Sequence, residues 1–382
     1  MQFKTKLIPL VGAIAFAFAA TAHAQEVVKI GHVGPISGAI SHLGKDNENG
    51  AKMAIDELNA KGVMIGGKKV TLVLLTEDDA ADPKQATSVA QKLVDAKVKG
   101  VIGHLNSGTT IPASKIYYEA GIPQISPSAT NPKYTQQGFN TTFRLVANDG
   151  QLGGTLGRYA VETVKAKKVA VIDDRTAYGQ GVAEEFIKGV KSKKAGTEVI
   201  ARQYTTDKAT DFSAILTAIK AKNPDVIFFG GMDAVAGPML RQMKQLGINA
   251  KLMGGDGICT EALSKLAGDA MADNQVVCAE AGGVEESQKS GLDNFKAAYK
   301  KKFGVDVQIY APYVYDSVMT MVEAMQKAGS SDPAKYLPVL AKTSRNGVTG
   351  NIAFDAKGDM KEGTLTLYTY KDAKRMQLAV MK

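Results

Sequence analysis

Short apolar runs alternate with amphipathic stretches along almost the whole chain after residue 25. Val27, Ile30 and Val33 mark a first strand over 27–33, and Ala51, Ala54, Ile55 and Leu58 keep the 3–4 spacing of a buried helix face over 47–60. Strands are predicted over 70–76, 98–102, 122–125 and 142–146, with helices over 85–95 and 112–120, the latter carrying Pro112 in its first turn. A second series opens near 147–150. Helices over 151–164, 182–193, 212–220 and 235–246 alternate with strands over 168–172, 198–204, 225–230 and 251–253. A helix over 260–266, a strand over 275–279, helices over 286–303, 311–328 and 333–341, and strands over 352–354, 365–370 and 376–380 complete the pattern. Strand–helix alternation of this kind predicts the α/β class, with parallel sheets covered on both faces. No low-complexity tether separates the two series, so they are expected to form lobes packed face to face with a cleft between their strand ends.

The first 24 residues do not fit this pattern. Lys4 and Lys6 precede a 14-residue apolar stretch over 7–20, and Ala22-His23-Ala24 gives a small-x-small cleavage pattern. This is read as a cleavable signal peptide over 1–24, with export to the periplasm. The apolar stretch is short for a membrane span, and there is no Cys at the cleavage point to carry a lipid. Removing 24 of the 382 residues leaves 358, enough for two domains with full cores. The net charge of +9 falls to +7 without the two leader lysines. The remaining Lys residues are scattered, with no aromatic-interleaved basic stripe and no zinc spacing, which excludes a nucleic-acid partner from the reading.

Two turns concentrate short polar side chains. Asn106-Ser107-Gly108-Thr109-Thr110 joins a strand to a helix, and Ser126-Pro127-Ser128-Ala129-Thr130 follows the next strand at the same sheet end. Such clusters serve either as helix caps or, with the helix N-terminus, as an anion pocket. A carboxylate suits them better than a polyphosphate, because no G-x-x-x-x-G-K-[ST] pattern accompanies them. The acidic run over 77–82 reads as a turn and helix start, not a metal site, and no cofactor motif is found. Cys259 and Cys278 are either a disulfide or two buried thiols. His32, His42 and His104 lack a recognisable Ser/Asp or Cys partner motif. An enzyme is therefore the weaker alternative, with His104 beside the first turn as its candidate and packing as that residue's competing role.

Several stretches together resemble the branched-chain amino-acid-binding proteins of ABC importers. They are residues 30–38, 78–86, 101–105 with the Ser-Gly-Thr turn, 125–130, Tyr-Gly-Gln-Gly at 178–181 and Gly-Gly-Asp-Gly at 254–257. The resemblance implies a type I periplasmic binding protein fold with two Rossmann-like lobes and a three-crossing hinge. It places lobe 1 in 25–147 plus 281–355 and lobe 2 in 148–280 plus 356–382. It also implies that Ser107, Ser128 and Thr130, with Thr109 and Ala129 beside them, hold a ligand α-carboxylate. Asp256 would receive the α-ammonium, and Tyr178 would face the cleft. The implied partners are an aliphatic amino acid and a membrane ABC permease with cytoplasmic ATPases, the receptor itself acting as a monomer without cofactor. Three departures from the pattern bear on specificity. Ala81 and Asn106 stand where relatives often carry a Cys pair, Met232 replaces a Tyr, and Leu43 replaces an aromatic residue. The last two touch the side-chain pocket, which leaves open another small acid or amide, for example an aromatic acid.

Overall fold

The computed structural model describes residues 26–381 apart from Lys194 and Glu285. The signal peptide assigned to 1–24 lies outside the described residues. The first series forms β1 (Glu26–Gly34), α1 (Ser41–Lys61), β2 (Val63–Ile65), β3 (Lys68–Asp78), α2 (Pro83–Asp95), β4 (Gly100–Ile102), α3 (Ser107–Glu119), β5 (Gln124–Ser126) and β6 (Thr142–Arg144). Its strands make one sheet in the order β2-β3-β1-β4-β5-β6, parallel except where β2 folds back on β3. The second series forms α4 (Asp149–Glu162), β7 (Lys168–Asp173), α5 (Ala177–Ser192), β8 (Glu198–Tyr204), α6 (Ser213–Lys220), β9 (Val226–Gly230), α7 (Asp233–Gln245), β10 (Lys251–Gly254), α8 (Ala262–Ala267) and β11 (Val276–Glu280).

After β11 the chain returns to the first sheet. There α9 (Lys289–Phe303), α10 (Ala311–Ala328), α11 (Pro333–Leu340) and the hairpin β12 (Ser344–Gly347) and β13 (Gly350–Ala353) are built. It then crosses again to add β14 (Leu365–Lys371) and β15 (Lys374–Met381) to the second sheet, whose order is β15-β14-β11-β10-β9-β7-β8. The last two strands are antiparallel to their neighbours and the others parallel. The chain thus passes between the sheets near 145–149, 281–288 and 355–364.

Parallel strands covered on both faces should lose their polar alternation. β9, Val-Ile-Phe-Phe-Gly, is buried at every residue, and β7 at every residue but its first. One core lies between the first sheet and α1 with α10, joining Ile30, Leu72, Val314, Val318 and Met321. Another spans the lobes, joining Leu43 and Leu105 to Tyr178, Met232 and Tyr310. Each fully buried Val, Leu, Ile or Phe contributes roughly 1.5–3 kcal/mol.

Several boundaries differ from the pattern-based expectation. α3 begins at Ser107 rather than Pro112, so the Ser-Gly-Thr-Thr segment is the helix's first turn and Pro112 lies inside it. Hydroxyls near a helix start bond the exposed backbone and mask helical periodicity. The helix expected from residue 47 starts at Ser41, because polar Lys45, Asp46 and Asn47 interrupt its apolar stripe. The strands β2 and β12 were not anticipated, being too short and irregular to alternate. The acidic run behaves as expected. Asp82 caps α2, accepting from the Lys84 and Gln85 N–H groups at 2.9 Å each.

Candidate functional site

The strand order changes direction between β1 and β4 in one sheet and between β7 and β9 in the other. Crevices form beyond the carboxyl ends of strands at such points. Here the two crevices face each other. The first wall begins where β4 ends and Asn106 enters α3 in an extended conformation. Ser107 is buried, and its Oγ accepts the Asn131 N–H at 3.2 Å, which leaves its own hydrogen to donate. The N-terminus of α3 adds partial positive charge at this point. Asn106 makes no side-chain cap, and its buried Oδ1 has no partner.

The second turn lies against the first. The Ser128 hydroxyl donates to the Leu105 carbonyl at 3.1 Å, and the Ala129 N–H donates to Ser126 Oγ at 3.0 Å. Thr130 Oγ1 is buried without a bonded partner. This turn is held from behind by Arg144, a fully buried side chain on β6. Its Nη1 donates to the Ala129 and Asn131 carbonyls at 2.9 and 3.0 Å, its Nη2 to Thr135 Oγ1 at 2.8 Å, and its Nε to Asp359 Oδ1 at 2.9 Å. The planar guanidinium suits several fixed acceptors at once.

The opposite wall is the turn after β10. Asp256 opens a short 3-10 turn, Asp256–Ile258, between two glycines that Tyr178 requires. A Cβ at Gly255 would come within 2.6 Å of the Tyr178 hydroxyl, and one at Gly257 within 2.6 Å of the Gly231 carbonyl. The Gly257 N–H donates to Tyr178 Oη at 3.0 Å. Asp256 Oδ2 accepts the Tyr310 hydroxyl at 2.9 Å, while Oδ1 is buried and unpartnered. Burial pushes the carboxyl up to about 6, with the tyrosine hydroxyls opposing. An added cation would relieve that cost.

Tyr310 reaches this wall from the other lobe. Asp46 on α1 fixes the backbone there. Its Oδ2 accepts the Ile309, Tyr310 and Ala311 N–H groups at 3.2, 2.9 and 2.9 Å, and its Oδ1 accepts that of Gln308 at 3.0 Å. A carboxylate at a helix N-terminus is stabilised by those donors.

Between the walls is a narrow shared cavity. Ser107 and Ser128 line it from one lobe, Tyr178, Met232 and Asp256 from the other, with Leu105, Asn106 and Tyr310 completing it. Five of the eight residues singled out from sequence therefore meet. Thr109, Ala129 and Thr130 stand just behind that lining: the Thr109 hydroxyl is spent on the Asn106 carbonyl at 2.9 Å. Arg144, Asp149 and Tyr310 were missed, and Asn106 entered only as part of the first turn. A lone Arg between Phe143 and Leu145 in a buried strand was a usable signal for one of them. Tyr310, 54 residues from Asp256, left none.

Asp149, the first residue of α4, is fully buried with neither oxygen bonded. Burial, and secondarily the charge of Asp256, push it up to about 8, against the Thr130 hydroxyl alongside. His104 does not open onto the cavity. It is buried between Asp79 (Nδ1, 2.8 Å) and Tyr117 (Nε2, 3.1 Å), a packing role. Cys259 and Cys278 form a disulfide, Cα atoms 5.3 Å apart. A larger depression of about 380 Å3 at the hinge, lined by Ala147, Gly282, Thr349 and Gly363, carries no buried charge. Among the described residues no group of three or more His, Cys, Asp or Glu is placed to hold a metal, and no helix is long and apolar enough to cross a membrane.

Comparison with known proteins bears on this arrangement. The profile of a family described as periplasmic binding protein matches residues 27–375. The chain is 38% identical over 360 residues to Leu/Ile/Val-binding protein homolog 1 of Brucella abortus, covering 94% of each. It is 34% identical over 375 residues to the leucine-, isoleucine-, valine-, threonine- and alanine-binding protein of Pseudomonas aeruginosa, covering 98% of each. In three dimensions it is similar to the branched-chain amino acid transporter substrate-binding protein of Streptococcus pneumoniae in complex with isoleucine. That similarity has a TM-score of 0.82 at 29% identity, over 93% of this chain and 99% of the other.

Proposed function

Since the chain belongs to the periplasmic binding protein family, we propose that it is an exported receptor for an aliphatic amino acid of the branched-chain type, which it hands to an ABC permease. The receptor is not an enzyme and acts as a monomer. The observation that carries the reading is the unpaired Asp256 Oδ1 on one lobe, across a shared cavity from the Ser107 and Ser128 hydroxyls on the other. A zwitterion joins those ends, its ammonium at Asp256 and its carboxylate at the Ser107 hydroxyl, whose hydrogen is free, and the α3 N-terminus. Hydrogen bonds to charged groups are worth about 1.5–3 kcal/mol each, enough in sum to offset much of the desolvation of both charges. Leu105, Met232 and the tyrosine rings offer an apolar surface for the side chain. Neither lobe alone satisfies both ends, so the ligand favours the closed form by differential affinity.

The test is calorimetry of ligand-stripped protein against the natural amino acids together with benzoate and short amides. Leucine, isoleucine or valine should bind, and Asp256→Ala should weaken them by about 10- to 100-fold. Binding of an aromatic acid that ignores Asp256→Ala would replace the amino acid with an acid lacking an ammonium.

A further inference from the structure

His42 and Asp233 stand outside the cavity lining, yet they join the two lobes. His42 is the second residue of α1, and Asp233 is the first of α7. The imidazole Nε2 lies 2.7 Å from Asp233 Oδ2. A carboxylate oxygen only accepts, so Nε2 carries the proton of this bond. Asp233 is fully buried, while the His42 side chain keeps 27% of its surface exposed. The Thr260 hydroxyl, from Asp233's own lobe, donates to the same oxygen at 2.6 Å. Thr260 therefore presets the carboxylate whether the lobes are apart or together. His42 arrives only on closure. Each partner is also next in sequence to a residue of the interlobe core, Leu43 beside His42 and Met232 beside Asp233. Closing the apolar wall and making the bond are thus one motion.

We infer that the His42–Asp233 bond is a latch, and that His42 is a positioning residue that sets how long the ligand stays without touching it. The inference rests on the reading that the lobes close over a small ligand. Capture begins from the open form, where the bond does not exist, whereas release must break it. Loss of the latch therefore falls on the dissociation rate.

Stopped-flow binding of L-leucine to the wild type, His42→Ala and His42→Gln tests this. His42→Ala should raise the dissociation rate about tenfold and leave the association rate within about twofold. Its ligand-free melting temperature should match the wild type. His42→Gln, which keeps a side-chain N–H of comparable reach, should restore most of the residence time. An unchanged dissociation rate, a slowed association rate, a lowered ligand-free melting temperature or a Gln variant as poor as the Ala variant would each overturn the latch. If the wild type binds no amino acid, the receptor reading falls by itself. The latch is then decided by the same stopped-flow comparison with whichever of benzoate or the short amides binds: faster release from His42→Ala sustains it, and unchanged release overturns it.

Discussion

Arg144 acts on the site without facing it. Its four hydrogen bonds tie the Ala129 and Asn131 carbonyls to Asp359 near the third crossing, so the second turn cannot move independently of the hinge. Arg144→Met leaves Asp359 without its buried cation and the Ala129 carbonyl without this donor, and should lower stability by about 3–5 kcal/mol. Arg144→Lys keeps the charge but not the fork, and calorimetry should show weakened ligand binding in the surviving fold. Asp149 poses the opposite case, a carboxyl that burial disfavours when ionised. Its folded-state value, about 8, lies above the ordinary one, so its contribution is most favourable below the ordinary range and is lost as pH rises toward 8. Asp149→Asn removes that loss. The melting-temperature gain of the variant over the wild type should be near zero at pH 4 and grow steadily to pH 8, as differential scanning calorimetry would show.

Elements gain function through what anchors their ends. The turn carrying Asp256 is followed at once by Cys259, whose bond to Cys278 ties it to β11, the strand from which the chain leaves for the other lobe. The two cysteines are 19 residues apart, and closing a loop of that length stabilises the fold by about 3 kcal/mol. Changing both to Ser should cost about that much in denaturant titration and loosen the Asp256 turn, so ligand affinity should fall as well. Most elements were readable beforehand because buried parallel strands are continuous apolar runs, as in β9. α3 was readable only from Pro112 on, since its first turn consists of residues that are equally at home in a loop. Arg144 stands out in the sequence only as a charge within an apolar run, and Asp149 only as a residue where the second series opens, because burial is a property of what packs around a side chain.

For the complete fold, closure is the functional event. Polar contacts between the lobes across the cleft include His42 with Asp233, Asn131 Nδ2 donating to the Ala177 carbonyl at 2.7 Å, and Tyr310 with Asp256. Without ligand, closing buries Asp256 with one oxygen unpaired. Its value of about 6 in that state is raised, so the empty closed form is favoured at low pH and is lost as pH rises through 6. Small-angle scattering of the ligand-free protein should show a smaller radius of gyration at pH 4.5 than at pH 7.5, and Asp256→Asn should remove the difference. Saturating ligand should compact the protein at both pH values, and at 100 times Kd should add about 2.7 kcal/mol of stability.

Strand and helix identity, the α/β class, the two-turn donor cluster and the acid between glycines are written locally, in periodicity and short motifs, because each depends on neighbours a few residues away. The pairing of Tyr310 with Asp256, of His42 with Asp233 and of Arg144 with Asp359 joins residues 54, 191 and 215 positions apart. Such partners become neighbours only when three crossings fold two sheets against one cleft. Burial, which sets the charge state of Asp149 and Asp256, likewise comes into being only with that packing.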